Sequence, residues 1–309
     1  MPLHLRASRR AGRPLAGVLL IGIRIGIAGY AAWTAVRPRS FAPVTTLPGP
    51  YAYDFSAKLT TEHLLSRDAN GIIMVKYPSG LEYNPVTVAQ LALAHYDRWL
   101  REKGTADREE FLKDAEWLVS TQKGDGLWYY DFPNGPMPVP WVSAMAQGPA
   151  MSVLVRAYAL SGDAAYASAA DRALDTYDLQ SGKGGVSATD GGYVWYEETM
   201  PPYSPHILNG MVFAMYGALD MATILDDAHA RHVFDVGVDT LVANIGKYDA
   251  GNWSYYNQAT PPGLASRFYN NLHAQLLAEL FTVTGREVFR AYSERFAAYA
   301  SNPPAGVAK

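Results

Sequence analysis

The chain has 309 residues, of which 49% are hydrophobic and 18% charged, values typical of a globular core rather than of a disordered protein. It contains no cysteine, which excludes disulfides and thiolate metal sites. Residues 1–39 hold seven arginines and no acid, so the rest of the chain has 19 basic and 29 acidic side chains, a formal charge of about −10. An acidic body without a basic run argues against nucleic acid as a partner.

Residues 1–50 are predicted to be a membrane-targeting segment. After a basic tail over residues 1–14, residues 15–36 form an apolar stretch long enough to cross a bilayer as a helix. The positive-inside rule puts the arginine-rich tail in the cytoplasm and the body of the chain, which begins with a Pro-rich stalk at residues 37–50, on the extracytoplasmic side. We therefore expect a single-pass membrane anchor. A cleaved signal peptide, which would release a secreted form, is the alternative.

The remaining residues are predicted to be all-α. Residues 51–84 are expected to be extended, with a small β-hairpin, and the segment from 85 to 309 shows apolar residues at spacings of three and four. Short turns that place glycine at a helix end, at Gly162 and Gly285, join two of the helix pairs. This pattern predicts an (α/α) toroid or partial barrel of antiparallel helical hairpins. The eight helices are expected at about 86–100, 107–122, 143–160, 163–177, 208–225, 227–245, 272–280 and 289–299.

Three long links, at residues 123–142, 181–205 and 246–268, are rich in glycine, proline and aromatic residues. Loops of this length in a compact domain usually carry function, and the alternation of short and long links puts all three at one rim. Aromatic, carboxylate and amide side chains cluster on these links and at the helix starts that follow them. Sugar C–H faces stack on aromatic rings and sugar hydroxyls need polar partners, so the clusters predict a carbohydrate site.

In order and spacing these clusters resemble the C-terminal catalytic domain of D-glucuronyl C5-epimerases over about residues 83–300. The resemblance rests on Tyr83-Asn84-Pro85-Val86, Ser143-Ala144-Met145-Ala146-Gln147-Gly148, Trp195-Tyr196-Glu197-Glu198, Leu208-Asn209-Gly210, Tyr248-Asp249, and Tyr269 with His273. It implies an isomerase that inverts C5 of glucuronate residues in a heparosan-like or other uronate polysaccharide, with no cofactor. Thr199 stands where the family usually has a tyrosine, and Tyr196 or Tyr203 is a candidate to supply that phenol.

By the same resemblance, Glu198 and Tyr269 are the opposed acid–base pair and Tyr256 is a supporting phenol or relay. The C5 hydrogen is α to the carboxylate, so inversion requires a base on one face of the sugar and an acid on the other. No metal site is expected, because the histidines lack ligand partners. The candidate substrate-binding residues are Gln147, Trp195, Tyr196, Glu197, Asn209, Arg267 and His273, and Arg156 and Arg267 are candidates to bind the substrate carboxylate.

Three other functions are consistent with the same residues. A polysaccharide lyase would use the same proton abstraction and then expel the O4 substituent. A glycoside hydrolase would need two carboxylates flanking the bond, and Glu198 with Asp249 is the candidate pair. A non-catalytic glycan-binding or envelope-assembly protein is the third, and Thr199 and the short N-terminal region are the arguments for it. The anionic polysaccharide is the expected partner besides the membrane, and the sequence does not predict an oligomeric state.

Overall fold

The structure is a computed structural model that describes residues 40–307. The predicted tail at residues 1–14 and the predicted anchor at residues 15–36 lie outside the described residues. Within residues 40–307, no helix is both long enough and apolar enough to cross a membrane.

Eight long helices form the body, as the spacing of apolar residues predicted. The helices are α2 (Pro85–Glu102), α3 (Thr105–Thr121), α4 (Ala144–Ser161), α5 (Ala164–Asp175), α6 (Leu208–Ile224), α7 (Ala228–Asn244), α8 (Arg267–Thr284) and α9 (Glu287–Tyr299). They pack as four consecutive hairpins, α2/α3, α4/α5, α6/α7 and α8/α9, and the first helices of the hairpins contact one another in the order α2, α4, α6, α8. The two central first helices, α4 and α6, are buried along most of their length.

Helices α4 and α6 approach closely because glycines face each other between them. A Cβ on Gly148 would lie 2.2 Å from the carbonyl oxygen of Phe213, and a Cβ on Gly217 would lie 2.3 Å from the carbonyl oxygen of Gly148. Only hydrogen fits at such a distance. Helix α4 continues through Pro149, which follows this contact. Gly148, at the end of the run Ser143–Gly148, therefore allows the backbones of α4 and α6 to approach each other closely.

The helix ends follow the sequence in most places. Gly162 and Gly285 adopt left-handed φ values of 74° and 66° at the ends of α4 and α8, as predicted. Helix α3 begins at Thr105, two residues before its expected start at position 107, and no side chain caps it. The Asp107 carboxylate instead accepts hydrogen bonds from the Arg98 guanidinium and contacts His95 Nδ1 at 2.7 Å.

Residues 40–84 lie on this helical body. Tyr158 and Tyr96 donate hydrogen bonds from their hydroxyls to the carbonyls of Phe41 and Pro48, so the described part of the predicted stalk contacts α4 and α2. The predicted hairpin is present as part of an antiparallel sheet, in order β1-β2-β3. A short helix that the sequence did not predict precedes it. These elements are α1 (Ser56–Thr61), β1 (Ser66–Arg67), β2 (Ile73–Tyr77) and β3 (Gly80–Glu82).

The link at 181–205 contains a second antiparallel hairpin that was predicted only as a loop. Strands β4 (Ser187–Asp190) and β5 (Tyr193–Tyr196) are joined through Gly191 and Gly192, both at positive φ. Positive φ at both central residues is typical of a tight hairpin turn. Strand β5 runs directly into Glu197 and Glu198, so this hairpin positions the predicted catalytic carboxylate.

Candidate active site

A cavity of about 520 Å³ opens where the first turns of α6 and α8 meet the segment 53–61. Its volume lies within the range of small-molecule sites, about 300–1,000 Å³. Aromatic rings make up much of the lining, and a few polar groups converge on it. The aromatic lining residues are Tyr53, Phe55, Tyr77, Tyr130, Trp141, Phe213, Phe268 and Tyr269; the charged and amide ones are Asp54, Lys58, Asn84, Gln90, Asn134, Glu198 and Asn209.

The backbone of the preceding residue and the first turn of α6 hold Glu198 in this cavity. The Glu197 carbonyl accepts a hydrogen bond from the amide of Ala144 at the start of α4. The Glu198 carboxylate then lies against Gly210, where a Cβ would be only 2.4 Å from Oε2. Asn209 donates from Nδ2 to the same oxygen at 3.3 Å. Glycine at position 210 is therefore required for the carboxylate to rest on the helix.

The environment of Glu198 raises the pKa of its carboxyl to about 7. Burial is the main cause, and the neighbouring Glu197 carboxylate adds to it, whereas hydrogen bonds from Asn209 and Tyr256 act in the opposite direction. A carboxyl with a pKa near neutrality exchanges protons readily at physiological pH. Perturbation of this kind in a cleft is characteristic of functional sites.

Two phenols adjoin Glu198. The amide of Leu208, at the start of α6, donates to the Tyr256 carbonyl, which brings the long link 246–268 beside the first turn of α6. Tyr269 lies in the first turn of α8, where the Ser266 hydroxyl accepts a hydrogen bond from its amide. The Tyr256 and Tyr269 ring centroids are 4.7 Å apart.

Tyr256 is close enough to both Glu198 and Tyr269 to shift the pKa of each, so it adjoins the carboxyl and the second phenol. Burial raises the pKa of both tyrosines, and the charge of Glu198 raises it further. At neutral pH both phenols are therefore protonated and act as hydrogen donors. Glu198 and Tyr269 line the cavity, whereas Tyr256 lies between them outside the lining. The three predicted catalytic side chains form one connected group that can accept, pass on and return a proton.

Of the seven predicted substrate-binding residues, Asn209 lines the cavity and the other six do not. Gln147 is fully buried, and its amide donates to the Gly126 carbonyl and the Thr176 hydroxyl, so it ties α4 to its neighbours. Trp195 is buried with its ring stacked on His206 at 4.3 Å. The Tyr196 hydroxyl donates to the carbonyl of Val233 in α7.

Glu197, His273 and Arg267 are also away from the cavity. The buried Glu197 carboxylate pairs with the imidazole of His206. His273 lies behind the two phenols, fully buried, with its Nδ1 3.3 Å from the Ser254 hydroxyl; burial lowers its pKa to about 3, so its ring is neutral. Arg267 is exposed at the start of α8.

Arg156, the other candidate for the substrate carboxylate, is buried and forms an ion pair with Asp220 at 2.6 Å. Of the two candidates to replace the missing family tyrosine, Tyr196 is bound to α7, whereas Tyr203 is 37% exposed and close enough to Tyr256 to influence its pKa. Thr199 itself lines the cavity. Within residues 40–307, no three histidine or acidic side chains lie close enough together to hold a metal ion.

Several lining residues were missed by the sequence reasoning, and most belong to residues 53–84. Tyr53, Phe55 and Lys58 come from α1 and the residues before it. This segment has no helical periodicity from which a helix or a site could have been predicted. Tyr77 and Asn84 hydrogen-bond to each other at 2.6 Å at the end of the small sheet. Asn84 had a signal, because it belongs to a run that resembles the epimerases, but no role was predicted for it.

Solved structures with the same fold include carbohydrate-active enzymes and a protein whose description names no activity. The unsaturated glucuronyl hydrolase of Bacillus sp. GL1 has a TM-score of 0.52 at 16% identity, with 80% of this chain and 66% of that chain covered. A protein from Listeria innocua has a TM-score of 0.55 at 13% identity, with 83% and 74% covered. At these identities the likeness defines the fold alone, which is α/α toroid-like.

Sequence comparison is more specific. A D-glucuronyl C5-epimerase of Caenorhabditis elegans is 29% identical over 228 residues, which are 65% of this chain but only 37% of that protein. An uncharacterized protein of Methanocaldococcus jannaschii is 26% identical over 249 residues, 73% of this chain and 80% of that one. The family model described as the D-glucuronyl C5-epimerase C-terminus matches residues 122–298. The chain belongs to this family.

Proposed function

We propose that the chain inverts C5 of glucuronate residues within a polysaccharide. The observation that carries this proposal is the contact of Glu198, whose carboxyl has a pKa of about 7, with the phenols of Tyr256 and Tyr269 beside an aromatic cavity. Family membership supports the reaction class. The chain spans only 37% of the nematode epimerase. The identity of the substrate polymer is therefore part of our proposal and does not follow from the sequence comparison.

In this mechanism the Glu198 carboxylate removes the C5 proton, and the electron pair of the broken C–H bond moves into the substrate carboxylate. The Tyr269 phenol then donates its proton to C5 from the opposite face, which inverts the centre and leaves a phenolate. Tyr256 resets the site: it passes its own proton to Tyr269 and takes the one held by Glu198. The proximity of the three side chains supports this relay.

The rest of the cavity suits a sugar. Asn209 lies in the lining beside Glu198, where an amide can hydrogen-bond to a sugar hydroxyl. Aromatic faces such as that of Tyr53 can stack on the C–H face of a pyranose. These groups orient the ring, while Glu198 and Tyr269 act on C5.

A hydrolase that uses Glu198 with Asp249 is not supported by the geometry. Asp249 lies outside the cavity and is held by the Arg295 guanidinium at 2.7 Å and the Tyr299 hydroxyl at 2.9 Å. A lyase shares the first proton abstraction with the epimerase, and its products separate the two reactions. The predicted anchor at residues 15–36 would put the activity on the extracytoplasmic side, and protease digestion of intact cells tests that orientation.

The decisive experiment incubates the purified protein with heparosan in deuterated water. We expect deuterium to appear at C5 and iduronate to accumulate, with no new ultraviolet absorbance and no shortening of the chain. An unsaturated, absorbing product would indicate a lyase. Absence of exchange with heparosan and with a bacterial glucuronan would refute the proposal.

A further inference from the structure

The cavity holds one cation among its described lining residues, Lys58, and no sequence argument had pointed to it. Both arginines that were candidates for binding the substrate carboxylate lie elsewhere, Arg156 in a buried ion pair and Arg267 on the surface. The residues outside 1–39 carry an excess of acid, so a uronate polymer needs a specific positive group at the reacting sugar. Lys58 is the candidate for this positive group, because it lines the same cavity as Glu198 and Tyr269.

Within residues 40–307, no carboxylate oxygen lies within ion-pair distance of the Lys58 ammonium. The two acids that share the cavity are engaged by other groups. Asp54 accepts hydrogen bonds from the amide and hydroxyl of Ser56 at 2.8 and 3.0 Å. Glu198 accepts a hydrogen bond from Asn209.

No carboxylate in the described part of the chain therefore offsets the cost of burying the Lys58 ammonium. Burial lowers the pKa of the ammonium, and no neighbouring carboxylate raises it again. A partly desolvated charge without a counter-charge is unfavourable and gains free energy when an anion binds next to it. The part of the cavity beside Lys58 thus favours a negatively charged ligand group.

The core fixes the position of Lys58 although α1 itself buries no residue. Phe55 precedes α1 and is buried, with its ring stacked on that of Phe213 in α6 at 5.7 Å. The Lys58 ammonium lies 6.0 Å from the Phe55 ring centroid. Because Phe213 also lines the cavity, this contact ties Lys58 to the helix whose first turn supports Glu198.

From these contacts we infer that Lys58 binds the carboxylate of the uronate residue undergoing inversion. This inference rests on the proposed epimerase function. Loss of the C5 proton places charge on the substrate carboxylate, and a fixed ammonium there stabilises the charge as it develops. Lys58 thus acts on the carboxylate, while Glu198 and Tyr269 act on C5.

Binding measurements test the contact independently of turnover. In a Glu198→Gln background, the affinity for a heparosan oligosaccharide is compared with that for the same oligosaccharide after its carboxylates have been reduced to alcohols. We expect Lys58→Met to weaken binding of the native oligosaccharide about tenfold or more and to leave the reduced one unchanged. Lys58→Arg should restore part of the affinity, because it retains the charge. Lys183→Met, at an exposed lysine outside the cavity, should change neither value.

Equal weakening for both oligosaccharides, or no weakening for either, would overturn the assignment of Lys58. In the otherwise wild-type protein, Lys58→Met should lower C5 exchange by about 10²–10³-fold. Full exchange by Lys58→Met would refute the role of Lys58 and leave the epimerase proposal intact. Carboxylate-dependent binding through Lys58, with no exchange by the wild type, would refute the epimerase proposal instead.

Discussion

The cavity has two walls of different origin. The acid–base wall, formed by Glu198, Asn209 and Tyr269 with Tyr256 behind them, belongs to residues 122–298, which match the family model. The amino-terminal wall, formed by Tyr53, Lys58, Tyr77 and Asn84, comes from residues that precede the match. Titratable groups touch one another on the first wall, whereas the cation of the second has no acid partner in the described chain. The proposed proton transfer thus lies in the family segment, and the proposed recognition of the anionic sugar lies in the segment before it.

The two walls also differ in what supports them. The first turns of α6 and α8 and the backbone around Glu197 position the acid–base wall, so its groups are fixed by long buried helices. The amino-terminal wall depends on a short helix anchored through Phe55 and on the hydrogen bond from Asn84 to Tyr77. A chain with the same family segment and a different amino-terminal wall would keep the proton chemistry and change its substrate.

The largest effect is expected at the centre of the acid–base wall. Glu198→Gln removes the base while its amide can still bind Asn209, so C5 exchange should fall about 10²–10⁴-fold with little change in affinity for heparosan oligosaccharides. Deuterium incorporation gives the rate, and a binding titration gives the affinity. Retention of more than a tenth of the wild-type rate would show that Glu198 is not the base.

The pKa of Glu198 also sets the pH dependence of the wild-type rate. Its folded-state value of about 7 is above the ordinary value, so the carboxyl holds its proton until the pH approaches neutrality. Since the base must be deprotonated, kcat/KM should rise about tenfold per pH unit below 7 and level off above it. The reverse reaction also needs one proton on the Glu198–Tyr269 pair, held by Glu198 instead of Tyr269. Its kcat/KM should therefore rise with pH below 7 in the same way. A rate that falls as pH rises from 5 to 7 would contradict this assignment.

The origins of the two walls also explain how far the sequence could predict them. Long helices repeat their apolar spacing several times, so all eight were predictable, and the family resemblance pointed to Glu198 and Tyr269, which both line the cavity. Helix α1 has six residues and buries none, which leaves no periodic signal for the segment that carries Lys58. On α8, Tyr269 and His273 share a face, yet only the first reaches the cavity, because position along the helix axis decides exposure.

An intermediate effect is expected at Gly210, where the acid–base wall meets α6. The new methyl group of Gly210→Ala would lie 2.4 Å from Glu198 Oε2 and must displace that side chain, so C5 exchange should fall about tenfold. The free energy of unfolding should also fall, because the methyl group would lie 2.7 Å from Glu198 Cβ, an atom that cannot move without the backbone. Gly148→Ala is the matched comparison: its methyl group meets the backbone of α6, and the free energy of unfolding should fall by about 1–3 kcal/mol or more. Thermal unfolding and exchange rates measured on both variants separate the two effects, and a fall in exchange no larger for Gly210→Ala than for Gly148→Ala would show that Gly210 serves only helix packing.

The smallest effect is expected on the amino-terminal wall, at Tyr53. Its ring packs against Phe55 and Phe213 at 4.9 and 5.7 Å and lines the cavity. Leucine retains the apolar packing but not the flat face, and an aromatic contact contributes about 0.5–1.5 kcal/mol, so Tyr53→Leu should raise KM about threefold to tenfold. Because Tyr53 takes no part in proton transfer, kcat should stay unchanged, and Tyr193→Leu on the exposed β-hairpin should alter neither constant. Steady-state exchange kinetics on the three proteins decide the question: a fall in kcat without a rise in KM would mean that the two walls do not divide binding from chemistry.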